Sequence, residues 1–325
     1  MRPCWSLLLL LPGLAWGNSP QSAAEWLDRM ADAAHKLNYE GTFIYEHAGR
    51  LQTMQVYHGT DGKSERERLV ALDGASREVV RRDGKVTCIL PDHNTVMEDE
   101  AGTRPPLPIS VPTRIDQLQS FYEPQVSGSE RVAGRTARKV VIAPRDEFRY
   151  GQHLWLDETS GLLLKAELRD EKGRVVEQLV FTRLKVHDKP LPAELLEPQT
   201  ATKELGRAPP REKSPHKTAA ESPWAVTALP AGFREELRRQ HRMPGVESPV
   251  EHRVFTDGLA SVSVFIESGK SANAAAPRTV RKGAINAYTR YVDDHKVTVL
   301  GDVPEATVRL IGDGVAAQQG SATGD

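Results

Sequence analysis

Cysteine is almost missing from this chain. There are two, Cys4 and Cys88, and Cys4 sits at the start of an N-terminal apolar run. If that run is removed, a single thiol remains, and one thiol excludes an internal disulfide. The fold must then be held by its core. Long apolar stretches are equally scarce. The one that stands out runs from Leu7 to Leu11 and on to Leu14, after Arg2 and before Ala15-Trp16-Gly17. That pattern predicts a secretory signal over residues 1–17, too short to remain as a membrane span. Excess charge of either sign is lacking too. Lys and Arg number 43 against 44 Asp and Glu, for a formal net charge of −1, so no global attraction to nucleic acid or anionic membrane is expected.

Sequence patterns for catalysis and metal binding are also missing. No Gly-x-Ser-x-Gly elbow and no His-Glu-x-x-His pair occurs. Gly269-Lys270-Ser271 ends like a phosphate loop, but Val264 stands where that motif needs its first glycine. The histidines are dispersed, so neither a metal nor another cofactor is expected, and no enzymatic activity.

Alternation of apolar and polar residues is abundant. Between Arg131 and Leu184 it predicts a four-strand antiparallel meander. Val140 and Ile142 share one face, as do Leu154 and Leu156, and Leu162, Leu164, Ala166 and Leu168 line the third strand. The turns at Gly161 and Gly173 carry the glycine that a positive φ favours. Upstream, Ser22 to Leu37 predicts an amphipathic helix with Ser22 and Glu25 as a capping box and Trp26, Met30, Ala33 and Leu37 on one face. Strands are expected over 41–46, 51–58, 65–72, 77–82 and 85–90, with hairpin turns at Asp73-Gly74 and Asp83-Gly84. A proline-rich loop is expected from Pro91 to Pro112, and a short helix through Ile115, Leu118 and Tyr122.

Residues 19–184 therefore read as one α+β domain, a large antiparallel sheet with covering helices. A sheet this long must curl or close. Its apolar inner face, with Phe43, Tyr45, Leu162, Leu164 and Leu168, is the candidate lipid-binding surface, set against the alternative of a packed core. Residues 185–222 are rich in proline and charge and read as a linker. A smaller α+β domain over 223–314 follows, with a flexible tail at 315–325. Within it, Arg234, Arg238, Arg239 and Arg242 form a basic cluster diluted by Glu235 and Glu236, a candidate partner site or simply a solvated face.

Several segments, taken in order, resemble the MucB/RseB proteins. They include Trp26-Leu27-Asp28-Arg29-Met30, Tyr39 to Tyr45, Glu67-Arg68-Leu69 and Leu72-Asp73-Gly74. Pro144-Arg145-Asp146, Arg149-Tyr150-Gly151 and Leu154 to Asp157 follow. In the smaller domain they are Leu229-Pro230-Ala231-Gly232-Phe233, Asp257-Gly258-Leu259-Ala260, Ser263 to Glu267 and Val297 to Pro304. The resemblance implies a periplasmic, non-enzymatic regulator. It would bind the periplasmic part of an anti-sigma factor (MucA/RseA-like), shield it from proteolysis and keep the envelope-stress sigma factor inactive. Lipid or lipopolysaccharide would release it. The resemblance also implies that the large domain is an unclosed barrel like those of LolA and LolB. The competing reading is a periplasmic lipid or lipoprotein carrier.

Overall fold

The computed structural model describes residues 22–82, 84–100, 118–200, 205–207, 222–241, 248–268 and 276–318. The expected signal over 1–17 lies outside them, as do Ile115, Arg242, most of the proline-rich loop and the middle of the linker.

Helix α1 spans Ala23–Lys36. Ser22 caps it, and the Ser22 and Glu25 side chains exchange hydrogen bonds with each other's backbone N–H groups, which satisfies two donors that the first turn would otherwise leave unpaired. Eleven strands surround it in order: β1 (Asn38–His47), β2 (Arg50–Thr60), β3 (Glu65–Ala71), β4 (Glu78–Arg82), β5 (Lys85–Leu90), β6 (Thr95–Glu100), β7 (Tyr122–Val132), β8 (Arg135–Pro144), β9 (Gly151–Asp157), β10 (Leu163–Arg169) and β11 (Val175–His187). Helix α2 (Ala193–Leu196) and the short strand β12 (Gly206–Arg207) complete the large sheet unit. The order is β12-β6-β5-β4-β3-β2-β1-β11-β10-β9-β8-β7, antiparallel except for β12 beside β6. The sheet does not close on itself. β1 pairs with β11 across the whole domain, from Asn38↔His187 to His47↔Glu177, with a bulge at Thr42/Phe43.

The core lies between α1 and the concave face. Trp26, Leu27 and Met30 meet Phe43, Leu162, Leu164, Leu179 and Phe181, all buried. Each such side chain taken from water contributes about 1.5–3 kcal/mol. The helix is also fixed by polar contacts along its length. Arg29 donates to the Glu158 carbonyl at 3.0 Å and to that of Thr159 at 2.6 Å. The Leu37 carbonyl, at the helix C-cap, bonds His58 Nδ1 at 2.7 Å, and His58 Nε2 meets Glu65 Oε1 at 3.0 Å.

Several sequence expectations need correction. Part of the stretch expected to be irregular forms strand β6. Leu118 lies in a turn and Tyr122 opens strand β7, where a short helix was expected. β7 was missed because its residues are mostly exposed and include Pro124 and Gly128, so no buried face marks it. The segment expected to begin the linker is docked instead. β11 runs on to His187, Leu191 and Leu196 are buried, and the Gln199 and Thr200 N–H groups bond the Glu78 carboxylate at 3.0 and 3.1 Å.

The smaller unit has strands β13 (Trp224–Val226), β14 (Arg234–His241), β15 (Val250–Thr256), β16 (Ser261–Ser268), β17 (Arg278–Lys282), β18 (Ile285–Val292) and β19 (His295–Gly301). Helix α3 (Glu305–Asp313) and strand β20 (Val315–Ala317) end it. Its six-stranded sheet runs β14-β15-β16-β19-β18-β17, and α3 covers β18 and β19. The expected flexible tail starts with β20, which pairs with β13 from Trp224↔Ala317 to Val226↔Val315. Among the described residues no helix is long and apolar enough to cross a membrane.

One buried acid makes a test. Glu67 on β3 is 3% exposed, its Oε2 finds no hydrogen-bond partner, and Arg81 Nε stays 3.9 Å from Oε1. Burial pushes its carboxyl up from 4.5 to about 7, against the pull of Arg81. The folded state therefore holds this proton more tightly than the unfolded state does. The carboxyl's contribution to stability is full below about pH 4.5 and is lost as pH rises through about 7. Glu67→Gln should raise stability at pH 8 by roughly 3 kcal/mol and leave it nearly unchanged at pH 4.5, as read by urea unfolding at the two pH values. Equal effects at both would show that this ionisation is not the cause.

Candidate functional site at the domain seam

The two units meet through a buried cation. Arg149 follows β8 and is 1% exposed. Its Nε donates to Asp146 Oδ2 at 3.1 Å within the large unit. Its other two nitrogens cross the seam. Nη1 donates to Asp257 Oδ2 at 2.5 Å and Nη2 to the Ala231 carbonyl. The guanidinium lies 4.6 Å from the Phe121 ring centroid, 5.6 Å from Tyr122 and 5.1 Å from Phe233. A planar fork with its faces against aromatic rings and its edge on oxygen acceptors is the arrangement arginine supplies and lysine does not.

Each acceptor is placed by local sequence. Asp257 sits in the turn between β15 and β16, where its Oδ1 accepts the Leu259 and Ala260 N–H groups at 2.9 and 2.8 Å. Its Oδ2 also accepts the Tyr122 hydroxyl at 3.0 Å. Burial, and then the Asp257 carboxylate, raise the pKa of that hydroxyl far above its usual value, so it stays a donor. Ala231 belongs to the Pro230-Ala231-Gly232 turn. Gly232 has φ +85°, and a Cβ there would fall 2.3 Å from the Phe121 ring. Only glycine lets this turn come so close.

A second contact lies further along the seam. Asn286 donates to the Tyr150 hydroxyl at 2.9 Å and Thr307 to the Phe148 carbonyl at 2.7 Å. Tyr150, Leu168 and Ala284 form a small apolar cluster there. Arg281 approaches Asp170 at 3.6 Å, and a Cβ on Gly283 would strike the Ala48 backbone at 2.8 Å.

Also at the seam is a cleft of about 290 Å³. Tyr45, His47, Gln152, Leu168 and Glu177 stand on the large-domain side. Ser261, Ser263, Ile285, Leu300 and Asp302 face them. Tyr45 donates its hydroxyl to Glu177 Oε1 at 2.7 Å, and His47 Nδ1 lies 3.3 Å from Oε2. Burial and the Glu177 carboxylate hold the Tyr45 hydroxyl protonated. Burial also pushes the Asp302 carboxyl up to about 6, helped by the negative charge of Glu177 and opposed by backbone N–H groups of Asp302 and Ser261.

The structure divides the five candidate lipid residues. Phe43, Leu162 and Leu164 are sealed in the core under α1. Tyr45 and Leu168 reach the seam cleft instead. Of the basic cluster, Arg234 is exposed on edge strand β14, Arg238 is paired with Glu235 at 2.6 Å, and Arg239 donates to His252 at 3.3 Å. Arg242 is outside the described residues. Sequence reasoning missed Arg149, Tyr122 and Asp257 as site residues. The available signal was an arginine flanked by two aromatics, Phe148-Arg149-Tyr150, in a chain otherwise alternating cleanly. Among the described residues no group of three or more His, Cys, Asp or Glu side chains is placed to hold a metal ion.

Removing the cation leaves Asp257, itself 2% exposed, buried without its partner, a loss of about 3–5 kcal/mol. Arg149→Met should lower the calorimetric Tm by more than about 5 °C and separate the unfolding of the two units. An unchanged single transition would show that the seam is held elsewhere.

Comparison with known proteins matches both units in order. The MucB/RseB N-terminal domain matches residues 22–202 and the MucB/RseB C-terminal domain residues 218–316. The sigma factor AlgU regulatory protein MucB of Pseudomonas aeruginosa is 35% identical over 314 residues, covering 94% of this chain and 95% of that protein. A complex structure of Pseudomonas aeruginosa MucA/MucB superposes with a TM-score of 0.74 at 31% identity, over 91% of this chain and 99% of that one. A crystal structure of MucB gives a TM-score of 0.60 at 30% identity, over 91% and 98%. With both domains matched in sequence order and the likeness running through nearly the whole length, this chain belongs to the MucB/RseB family.

Proposed function

We propose that this protein is an exported, non-enzymatic regulator that acts in the periplasm. It binds the periplasmic segment of a MucA/RseA-like anti-sigma factor and keeps it from the protease that begins its destruction. The sigma factor held by that anti-sigma factor then stays inactive. The observation that supports this reading is the two-unit arrangement, which superposes on the MucA/MucB complex with a TM-score of 0.74 against 0.60 for the crystal structure of MucB. Physically the task is one of occlusion. A protease needs an extended, accessible segment, and a segment lodged against two clasped domains is neither free nor accessible. No bond needs to be made or broken by the regulator.

Release by lipid belongs to the same proposal. The concave face of the large sheet is apolar but filled, with α1 seated on it by Arg29 and His58. Acyl chains would contact Phe43, Leu162 and Leu164 only by displacing α1, and that displacement must weaken partner binding for lipid to act as a switch. Reciprocity then requires the partner to weaken lipid binding by the same factor. The arginines of β14 are a further proposed contact for the partner, with Arg234 exposed and Arg238 and Arg239 partly buried.

The test mixes the exported chain with the periplasmic segment of its anti-sigma factor and adds the site-1 protease, with and without lipopolysaccharide. The reading predicts that the segment survives until lipopolysaccharide is added. A segment cleaved at the same rate with and without the protein would contradict it. Binding of lipopolysaccharide with no effect on the segment would favour a lipid carrier.

A further inference from the structure

The seam cleft has features that general partner binding does not require. Its volume of about 290 Å³ lies just under the range of about 300–1,000 Å³ that takes a drug-sized ligand, so it suits one long side chain rather than a lipid. Its walls are of two kinds. Leu168, Ile285 and Leu300 offer an apolar surface, while Glu177 and Asp302 place carboxylates on opposite sides of the seam. Among the described residues no lysine or arginine lies within ion-pair distance of either carboxylate, and His47 is the basic group nearest Glu177. Arg281, which reaches toward the seam, is already turned to Asp170. Glu177 is buried and Asp302 partly so, and the negative charge of Glu177 disfavours ionisation of Asp302, an effect that a cation between them would offset.

We propose that this cleft is a pocket for one basic side chain, an arginine or lysine of the bound polypeptide. Its aliphatic stem lies along Leu168, Ile285 and Leu300, as long cationic side chains do on apolar surface. Its head group donates to Glu177 and Asp302 as charge-assisted hydrogen bonds. Tyr45 holds Glu177 in place, because its hydroxyl donates to Oε1, while Oε2 meets His47 Nδ1 at 3.3 Å and keeps a second acceptor position for an incoming donor. The pocket's two walls come from different units, so an occupant reads both at once and its binding depends on their relative placement. This inference rests on the reading that the protein captures a polypeptide segment.

The experiment separates the two ideas. N-acetyl-L-argininamide and its neutral isostere N-acetyl-L-citrullinamide are titrated into the isotopically labelled exported chain, and amide resonances of Ser261, Ser263 and Leu300 are followed. In parallel, the affinity for the anti-sigma segment is measured by calorimetry. The argininamide should give saturable shifts at these residues, at least tenfold tighter than citrullinamide. Asp302→Asn, which keeps the shape and removes a charge that is costly to bury, should lose that preference. Glu177→Gln, which still accepts from Tyr45, should do the same, and both should weaken the segment about tenfold. Equal binding of the two amides, or no saturable binding, overturns the pocket even where the segment binds. Argininamide held in the cleft while the segment fails to bind supports the pocket and sinks the capture reading.

Discussion

The arrangement of the two units depends on one buried guanidinium. Arg149 is surrounded by aromatic rings and almost fully removed from water. Such a charge is tolerable only when its donors are met, and here they are met by Asp146 on its own side and by Asp257 and the Ala231 carbonyl on the other. The directional fork makes the contact a statement about orientation. A rotation of the small unit that moved Asp257 away would strip Asp257 of its cation and leave Arg149 with Asp146 alone. The acceptors are themselves rigid, one held by a hairpin turn and one by a glycine turn pressed against Phe121. Seam geometry is thus set in part by short local motifs.

This division of labour assigns the large sheet a scaffolding role. Its concave face is occupied by α1 and its own side chains, and the helix is pinned at its middle by Arg29 and at its C-cap by His58. A constitutively open barrel for lipid is therefore not what the core presents. An accessible cleft lies between the units, where polar and apolar walls meet. A protein that bound only lipid would not need its second unit clasped this way. A protein that reads a polypeptide across two surfaces does.

Much of the fold was legible in the sequence because one-sided burial leaves a period. The Ser22–Glu25 capping box, the strands carrying Leu154, Leu156 and Leu164, and the Gly161 and Gly173 turns all announce themselves. Strands β7, β14 and β17 did not, since each is an edge strand whose residues are largely exposed. The docked start of the linker was hidden because Gln199 and Thr200 are held by their backbone N–H groups, which no side-chain pattern encodes. The site was the least legible part. Arg149 and Asp257 are 108 positions apart, and nothing local to either shows that they touch. Alternation placed Tyr45 on the face of Phe43, yet its hydroxyl ends at the seam with Glu177. Alternation gives the face but not how far along the strand the core extends.

The central claim is that the Arg149 clasp belongs to the arrangement that engages the partner. It is tested most directly by pulsed electron spin resonance between labels at Glu171→Cys and Asp294→Cys, both exposed, in a Cys88→Ser background. The account predicts that adding the anti-sigma segment gives one narrow distance matching this structure. With Arg149→Met, the same segment concentration should leave the distribution broad. A variant that reaches the same narrow distance as readily as the parent would contradict the account.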